Sequence, residues 1–394
     1  LREMKAIFSS RKESCLLLLL FLIEFTRGAF FLTFLPLYTV NYLSISVVAV
    51  GLAVSAHYLV ETLFKGTAGW QLDRRGHPVL LFGLTLGLAA LLMMKFYPSA
   101  PVLMLGSAFF GLAVSPVWLA VISGVAPVQL KERASRMGVV FAVWLAGGGG
   151  GPVVINFFIA RNYDMAFWLL IALWSAALVL TAVFFPGVAK TGDDSSFSFQ
   201  KEVTRMARNP AVKKLLLPGM FVQTLAGGLL LPLMPIYAQI KIGLNPNQYA
   251  VLLLAGGAAA VLSFLPMGRL ADRIKLKILL GTGFGMTALS LALFSTARQA
   301  TSAYLLAALV GFSYAMVLPA WNNLLARVIS PERQATGWGV FATVEGMGVA
   351  IGPALGGIVA KFLGISAAPV LSAAVLASMS CFYFLYPVER LFEK

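Results

Sequence analysis

The chain reads as an all-α membrane protein: twelve spanning helices in two pseudo-symmetric bundles of six. Three observations predict this. Apolar runs of about 20 residues, each long enough to cross a hydrocarbon core, follow one another along all 394 residues. Hydrophobic residues make up 59% of the chain and charged residues only 11%, against about 25% charged in a soluble domain. Short motifs of the first half also return in the second.

The expected spans are 15–40, 45–70, 78–97, 100–124, 137–160, 165–187, 214–240, 246–269, 277–297, 301–327, 336–361 and 366–388. The first run is longer than a signal-peptide core and lacks a small-residue cleavage site, so it is taken as a span. An even number of spans puts both termini on one side. Lysine and arginine decide which side. Arg11, Lys12, Arg74, Arg75, Lys131, Arg133, Arg136, Lys201, Arg205, Arg269, Arg273, Arg327 and Arg333 fall on one set of alternate loops, whereas the other set holds Lys95, Arg161, Lys241, Arg298 and Lys361. Both termini are therefore expected in the cytoplasm. A net charge of +15 that lies in short loops argues for this topology and against a nucleic-acid partner. Cys15 and Cys381 suggest neither a disulfide framework nor a metal site.

The longest polar stretch, 189–213, divides the chain into a first bundle at 1–188 and a second at 214–394. Within it, 199–208 reads either as an amphipathic helix on the anionic inner leaflet or as a solvated linker helix. The halves repeat. Gly69-Trp-Gln-Leu-Asp73-Arg74 returns as Gly268-Arg-Leu-Ala-Asp272-Arg273. Ser115-Pro-Val-Trp118 is answered by Leu318-Pro-Ala-Trp321, Phe141 by Phe341, and Gly151-Pro152 by Gly352-Pro353. Parallel six-span repeats of this kind place a substrate site at the repeat interface near the bilayer midplane.

Ionisable residues within spans are costly, roughly 2.5–3.5 kcal/mol each on insertion scales, and they usually mark a pathway. Glu24 and Arg27 lie three apart in the first span, on one side of a helix. They read as the polar centre of a cavity, or else as a salt bridge that braces packing. His57, Glu61 and Lys65 follow at intervals of four in the second span, also on one face. Burial favours a neutral carboxyl and a nearby cation favours a charged one. The balance between them would let Glu24 or Glu61 take up and release protons. Alternatively, Glu61 pairs with Lys65 within its own helix and His57 only donates a hydrogen bond between helices. Trp118 and Trp144 lie deep in their spans and offer either sugar-stacking faces or ordinary packing. Trp321, Asn322 and Gln223 are candidate polar contacts in the second half. There the clear acidic counterpart is Glu345, amid Leu, Met, Phe and Ala. One polar wall and one greasy wall suit an amphiphile, its headgroup toward the first bundle and its acyl chains toward the second. Asp73, Arg74, Arg133, Arg136, Asp272 and Arg273 read as gating charges at the cytoplasmic ends. Gly147–Gly151 and Gly348–Gly357 are expected to allow close approach where the halves meet. Neither a nucleotide-binding P-loop nor a metal-ligand spacing occurs in the sequence. The reading is thus a transporter, not an enzyme, that needs no cofactor and works as a monomer driven by an ion gradient.

Gly69-x-x-x-Asp73-Arg74-x-Gly76 resembles the loop motif between the second and third spans of the major facilitator superfamily, and Gly348-Val-Ala-Ile-Gly352-Pro353 resembles its exporter-associated glycine-proline motif. In the fifth span the latter motif departs, with Asn156 and Phe157 in place of its last glycines. Glu24-Phe-Thr-Arg27-Gly28, Ser115-Pro-Val-Trp118, Leu318-Pro-Ala-Trp321-Asn322 and Trp338-Gly339-Val340-Phe341 are similar to the proton-coupled glycolipid flippases of lipoteichoic acid synthesis in Gram-positive bacteria. That resemblance implies export of a diglucosyl-diacylglycerol to the outer leaflet of the bacterial cytoplasmic membrane. It implies proton coupling and headgroup binding at Glu24 and Arg27, an acidic role for Glu61, and sugar contacts at Trp118 and Trp144. Glu345 stands where that family carries an amide, so coupling need not be confined to the first half. The rival readings are a proton-driven multidrug exporter and a non-transporting membrane sensor.

Overall fold

The computed structural model of the chain describes residues 11–126, 133–184, 208–271, 273–328 and 334–386. Within these ranges the side chains of Trp70, Asp73, Arg74, 133–135, Leu265, Ala326 and 334–340 are not described. The expected linker falls largely outside them, at 189–207, as does nearly all of the expected 199–208 helix.

Each apolar run folds as a helix, because in lipid every backbone N–H and C=O must be satisfied within the segment. The helices are α1 (Arg11–Ala29, continuing to Tyr42), α2 (Val47–Arg75), α3 (His77–Phe96), α4 (Ala100–Val125), α5 (Arg133–Ile159) and α6 (Tyr163–Phe184). In the second half they are α7 (Val212–Leu230 and Met234–Ile242), α8 (Pro246–Ala271), α9 (Leu276–Phe294), α10 (Ala300–Ala326), α11 (Gln334–Leu363) and α12 (Ala367–Leu385). Among the described residues, eleven are long and apolar enough to span without a sharp bend, and the two pieces of α7 together make a twelfth. The pieces of α7 meet at 43°. Pro232 and Pro235 each lack an N–H donor, and this breaks the ladder there.

The chain divides into two compact units, Leu1–Asp193 and Asp194–Lys394. In the first, α1 packs on α5, α2 on α4, and α3 on α4 and α6. In the second, α7 packs on α11, α8 on α10, and α9 on α10 and α12. The pairings are the same. So are the details of how the first helix of each unit ends. Both α1 and α7 finish in a π-helical turn, Tyr38–Tyr42 and Ala238–Ile242. A left-handed residue follows in each, Ser44 at φ 56° and Gly243 at φ 79°. The next N–H then reaches back six residues, from Ile45 to the Thr39 carbonyl at 2.9 Å and from Leu244 to the Ala238 carbonyl at 3.0 Å.

Glycines set the helix separations. A Cβ on Gly151 would overlap the Phe25 carbonyl oxygen of α1, and one on Gly356 would overlap the Leu229 carbonyl oxygen of α7. Backbones touch here because no side chain intervenes. These approaches lie inside each unit, α1 against α5 and α7 against α11, whereas the sequence had suggested the meeting of the halves. Buried polar anchors tie the outer helices on. Trp174 Nε1 donates to the Leu84 carbonyl at 2.7 Å, joining α6 to α3. Ser380 Oγ donates to the Gly281 carbonyl at 2.7 Å and Ser372 Oγ to the Ala226 carbonyl at 2.9 Å, joining α12 to α9 and α7.

Candidate functional site

Two glycine contacts place the acidic residues of the first unit. Gly147 of α5 sits so close to α1 that a Cβ there would lie 2.8 Å from the Phe21 carbonyl oxygen and 3.1 Å from Glu24 Cβ. Gly111 of α4 faces the α2 turn from His57 to Glu61, where a Cβ would lie 3.2 Å from the Glu61 backbone nitrogen. Each carboxyl is thereby held on a helix clamped against its neighbour, and a single side chain on α1 joins them.

That side chain is Arg27. Its Nη2 and Nε donate to one oxygen of Glu24, at 2.6 and 3.0 Å, and its Nη1 donates to Glu61 Oε2 at 3.0 Å. Lys65 Nζ donates to the other Glu61 oxygen at 3.2 Å. His57 Nε2 lies 3.7 Å from Glu61 Oε2. The Arg27 guanidinium stands 6.0 Å from the centre of the Tyr58 ring, within cation–π range. Two anions and two cations form a neutral cluster on α1 and α2. Glu24, Glu61 and Arg27 are 8%, 12% and 15% exposed, and Lys65 is 39% exposed. Charges at such depth persist only when paired and hydrogen-bonded. Both pairings considered from sequence, Glu24 with Arg27 and Glu61 with Lys65, therefore occur, and Glu61 also holds Arg27 across to α1.

His57 is fully buried. Its ring stacks on Phe31 at 3.9 Å between centroids and meets Phe110 edge-on at 5.7 Å. In this structure it is a packing partner beside Glu61, with no surface open to a substrate. Trp118 and Trp144 form a T-shaped pair at 6.3 Å, and Phe141 packs on Trp118 at 5.4 Å. Trp144 and Phe141 are exposed. Arg136 was expected among the gating charges. It binds within its own unit, where Nη1 donates to Glu13 of α1 at 2.7 Å and to the Val125 carbonyl at the end of α4 at 3.0 Å. Asp272 lies outside the described residues, as do the side chains of Asp73, Arg74 and Arg133. Arg273 is exposed.

In the second unit, Asn322 and Glu345 are exposed and Gln223 is half-buried. Trp321 is fully buried in a core with Phe284, Leu324 and Tyr383, its ring edge-on to Tyr383 at 6.2 Å. Burial removes it from the candidate substrate contacts. The glycine contacts explain the difference from Trp118. Gly111 meets the His57 carbonyl as Gly311 meets the Gly256 carbonyl. With the helices aligned on those glycines, Trp118 corresponds to Leu318. Trp321 stands three residues further on, about 60° around the helix. The motif match Ser115–Trp118 with Leu318–Trp321 was out of register with the fold.

The same alignment reveals what sequence matching did not. Gly147 meets Phe21 and Phe25 as Gly348 meets Phe221 and Leu225. Glu24 and Arg27 therefore correspond to Thr224 and Gly227, and His57, Glu61 and Lys65 to Gly256, Ala260 and Phe264. Every charged member of the cluster has an uncharged counterpart. Trp144 corresponds to Glu345, and both are exposed. The polar site belongs to one repeat.

A twelve-helix repeat fold with a buried charge cluster in one half defines a membrane transporter. The chain belongs to the Major Facilitator Superfamily, whose family model matches residues 16–217 and again 216–393. It is 28% identical over 387 residues to the proton-coupled antiporter flippase LtaA of Staphylococcus saprophyticus, covering 97% of this chain and 96% of that protein. It is 29% identical to the protein of the same name from Staphylococcus haemolyticus, covering 96% of this chain and 95% of that one. Among solved structures, the nucleoside transporter NupG matches with TM-score 0.76 at 14% identity, over 98% of this chain and 100% of that one. A POT family transporter bound to a thioalcohol-conjugated peptide matches with TM-score 0.72 at 15% identity, over 98% and 97%. The last two show the fold alone.

Proposed function

We propose that this protein is a proton-coupled antiporter that flips a diglucosyl-diacylglycerol-type glycolipid from the inner to the outer leaflet of a bacterial cytoplasmic membrane, with both termini in the cytoplasm. The observation that carries the reading is the Glu24–Arg27–Glu61 cluster, two carboxylates sharing one guanidinium in one repeat only. The name and full-length coverage of the staphylococcal relatives support it. In this mechanism the ionised carboxylates accept hydrogen bonds from headgroup hydroxyls while Arg27 fixes their orientation. A proton arriving from the outer side neutralises one carboxylate, weakens it as an acceptor and releases the headgroup. The proton leaves on the cytoplasmic side, and the next headgroup binds the restored carboxylate. Competition of proton and sugar for the same oxygen atoms is the coupling, because a ligand shifts an equilibrium only through differential affinity. Trp118 and Trp144 would stack on the sugar rings.

The test uses proteoliposomes carrying fluorescent diglucosyl-diacylglycerol, with and without an imposed pH gradient. The parent should move the lipid faster with the gradient, and Glu24→Gln should lose that acceleration. A parent that leaves the lipid in place but exchanges protons for a cationic dye would replace this reading with drug export.

A further inference from the structure

The cluster contains one member whose surroundings differ from the rest. Lys65 is 39% exposed, whereas its partner Glu61 is 12% exposed and Arg27 is 15% exposed. It lies one helical turn beyond Glu61, beside the exposed residues Phe64, Gly66 and Thr67. Its ammonium group makes a 3.2 Å contact with Glu61 Oε1, the oxygen that Arg27 does not use. The charges facing this contact are Glu24 and Arg27 from α1, with His57, Tyr58 and Glu61 on α2 itself. The helix packed on that turn, α4, carries no ionisable residue between Ala100 and Val125.

Charge balance then poses a problem that the geometry resolves. With both carboxylates ionised the cluster is neutral. A proton on Glu61 leaves one cation in excess. Arg27 cannot be the one that moves, because Glu24 still holds it through two N–H donors. A long lysine stem, however, can carry its ammonium toward water while its methylenes stay on apolar surface. The geometry points to Lys65 as the movable counter-ion of the coupling cycle: it holds Glu61 ionised while the headgroup is bound and swings off Glu61 into water when the proton arrives. This rests on the proton-coupled reading above and adds to it a positioning residue that sets the pH of the cycle without binding substrate.

The test compares Lys65→Gln, Lys65→Met and Lys65→Arg with the parent in two assays. The first needs no transport. Thermal stability of the purified protein is followed against pH in detergent, where protonation of the cluster appears as a midpoint. Loss of a cation beside a carboxylate moves its titration upward by one to three units, and partial exposure of Lys65 brings the expected shift to about one unit for Gln and Met. Arg should restore the parent midpoint. The second assay measures lipid movement against pH, and the half-saturating lipid concentration well above the midpoint. The pH profile should shift by the same amount, with half-saturation changed less than about twofold. Unchanged midpoints in both neutral variants would overturn the proposal. So would a several-fold rise in half-saturation at constant midpoint, which would make Lys65 a headgroup ligand instead. If the parent moves no lipid, the flippase reading fails while the stability assay still decides the role of Lys65. Met keeps the apolar stem, so it serves where Gln does not fold.

Discussion

Replacing Arg27 by Met tests whether it is the shared cation of the cluster. In the parent, Arg27 supplies three charge-assisted hydrogen bonds, two to Glu24 and one to Glu61. The loss is unequal for the two acids. Glu61 keeps Lys65, but Glu24, only 8% exposed, loses the one cation it contacts among the described residues. Removing one partner of a buried ion pair costs about 3–5 kcal/mol, because it strands the other charge. The reciprocal change, Glu24→Gln, leaves Arg27 on Glu61 and removes only bonds to a charged acceptor, worth about 1.5–3 kcal/mol. The double variant Glu24→Gln/Arg27→Met strands nothing at position 24 and should regain much of the single Arg27→Met loss. Thermal unfolding in detergent reads the order. By the scaling of domains the size of one unit, about 2–4 °C per kcal/mol, Arg27→Met should lower the midpoint by on the order of 10 °C. Glu24→Gln should lower it by roughly half as much. If Arg27→Met is no worse than Glu24→Gln, or the double variant is the least stable of the three, the shared-cation argument is wrong.

Two further predictions concern packing. Gly151→Val puts atoms where the Phe25 carbonyl stands and should destabilise by about 1–3 kcal/mol as an overpacked contact. Gly150→Ala, whose Cβ meets nothing within 4 Å, should be neutral or stabilise by up to about 1 kcal/mol through helix propensity. Equal unfolding midpoints for the two would refute the role given to the α1–α5 contact. Trp321→Ala should cost about 3–5 kcal/mol as a large-to-small change in a core, with half-saturation by the lipid unchanged in whatever protein folds. A selective loss of lipid affinity at full stability would return Trp321 to the substrate contacts.

Much of this was legible from the one-dimensional pattern. Length and hydropathy of the runs called for twelve helices, since a bilayer admits no other use of such segments than a helix or a closed barrel. Spacings of three and four along single helices put Glu24 with Arg27, and Glu61 with Lys65, because helical periodicity is a local property. The pairing of Arg27 with Glu61 was not legible. It depends on how α1 and α2 are brought side by side, and the glycines that bring their partners close, Gly147 and Gly111, are only two among 37. Trp321 was misplaced for a related reason. A Pro-x-Trp motif recurs in the sequence, but a shift of three residues turns the side chain about 60° around the helix, and at Trp321 that direction leads into the core.

The sequence by itself determined a doubled six-helix membrane fold and the presence of buried charge, because hydropathy, helical period and the cost of burying an ion are settled by residue type and local order. Only the tertiary structure decided which charges meet, which of the matched tryptophans is core, and that the cluster has uncharged counterparts throughout the second repeat. Those outcomes turn on backbone contacts between helices distant in the chain, where a missing Cβ sets the separation and the register between repeats sets which side chain enters the core.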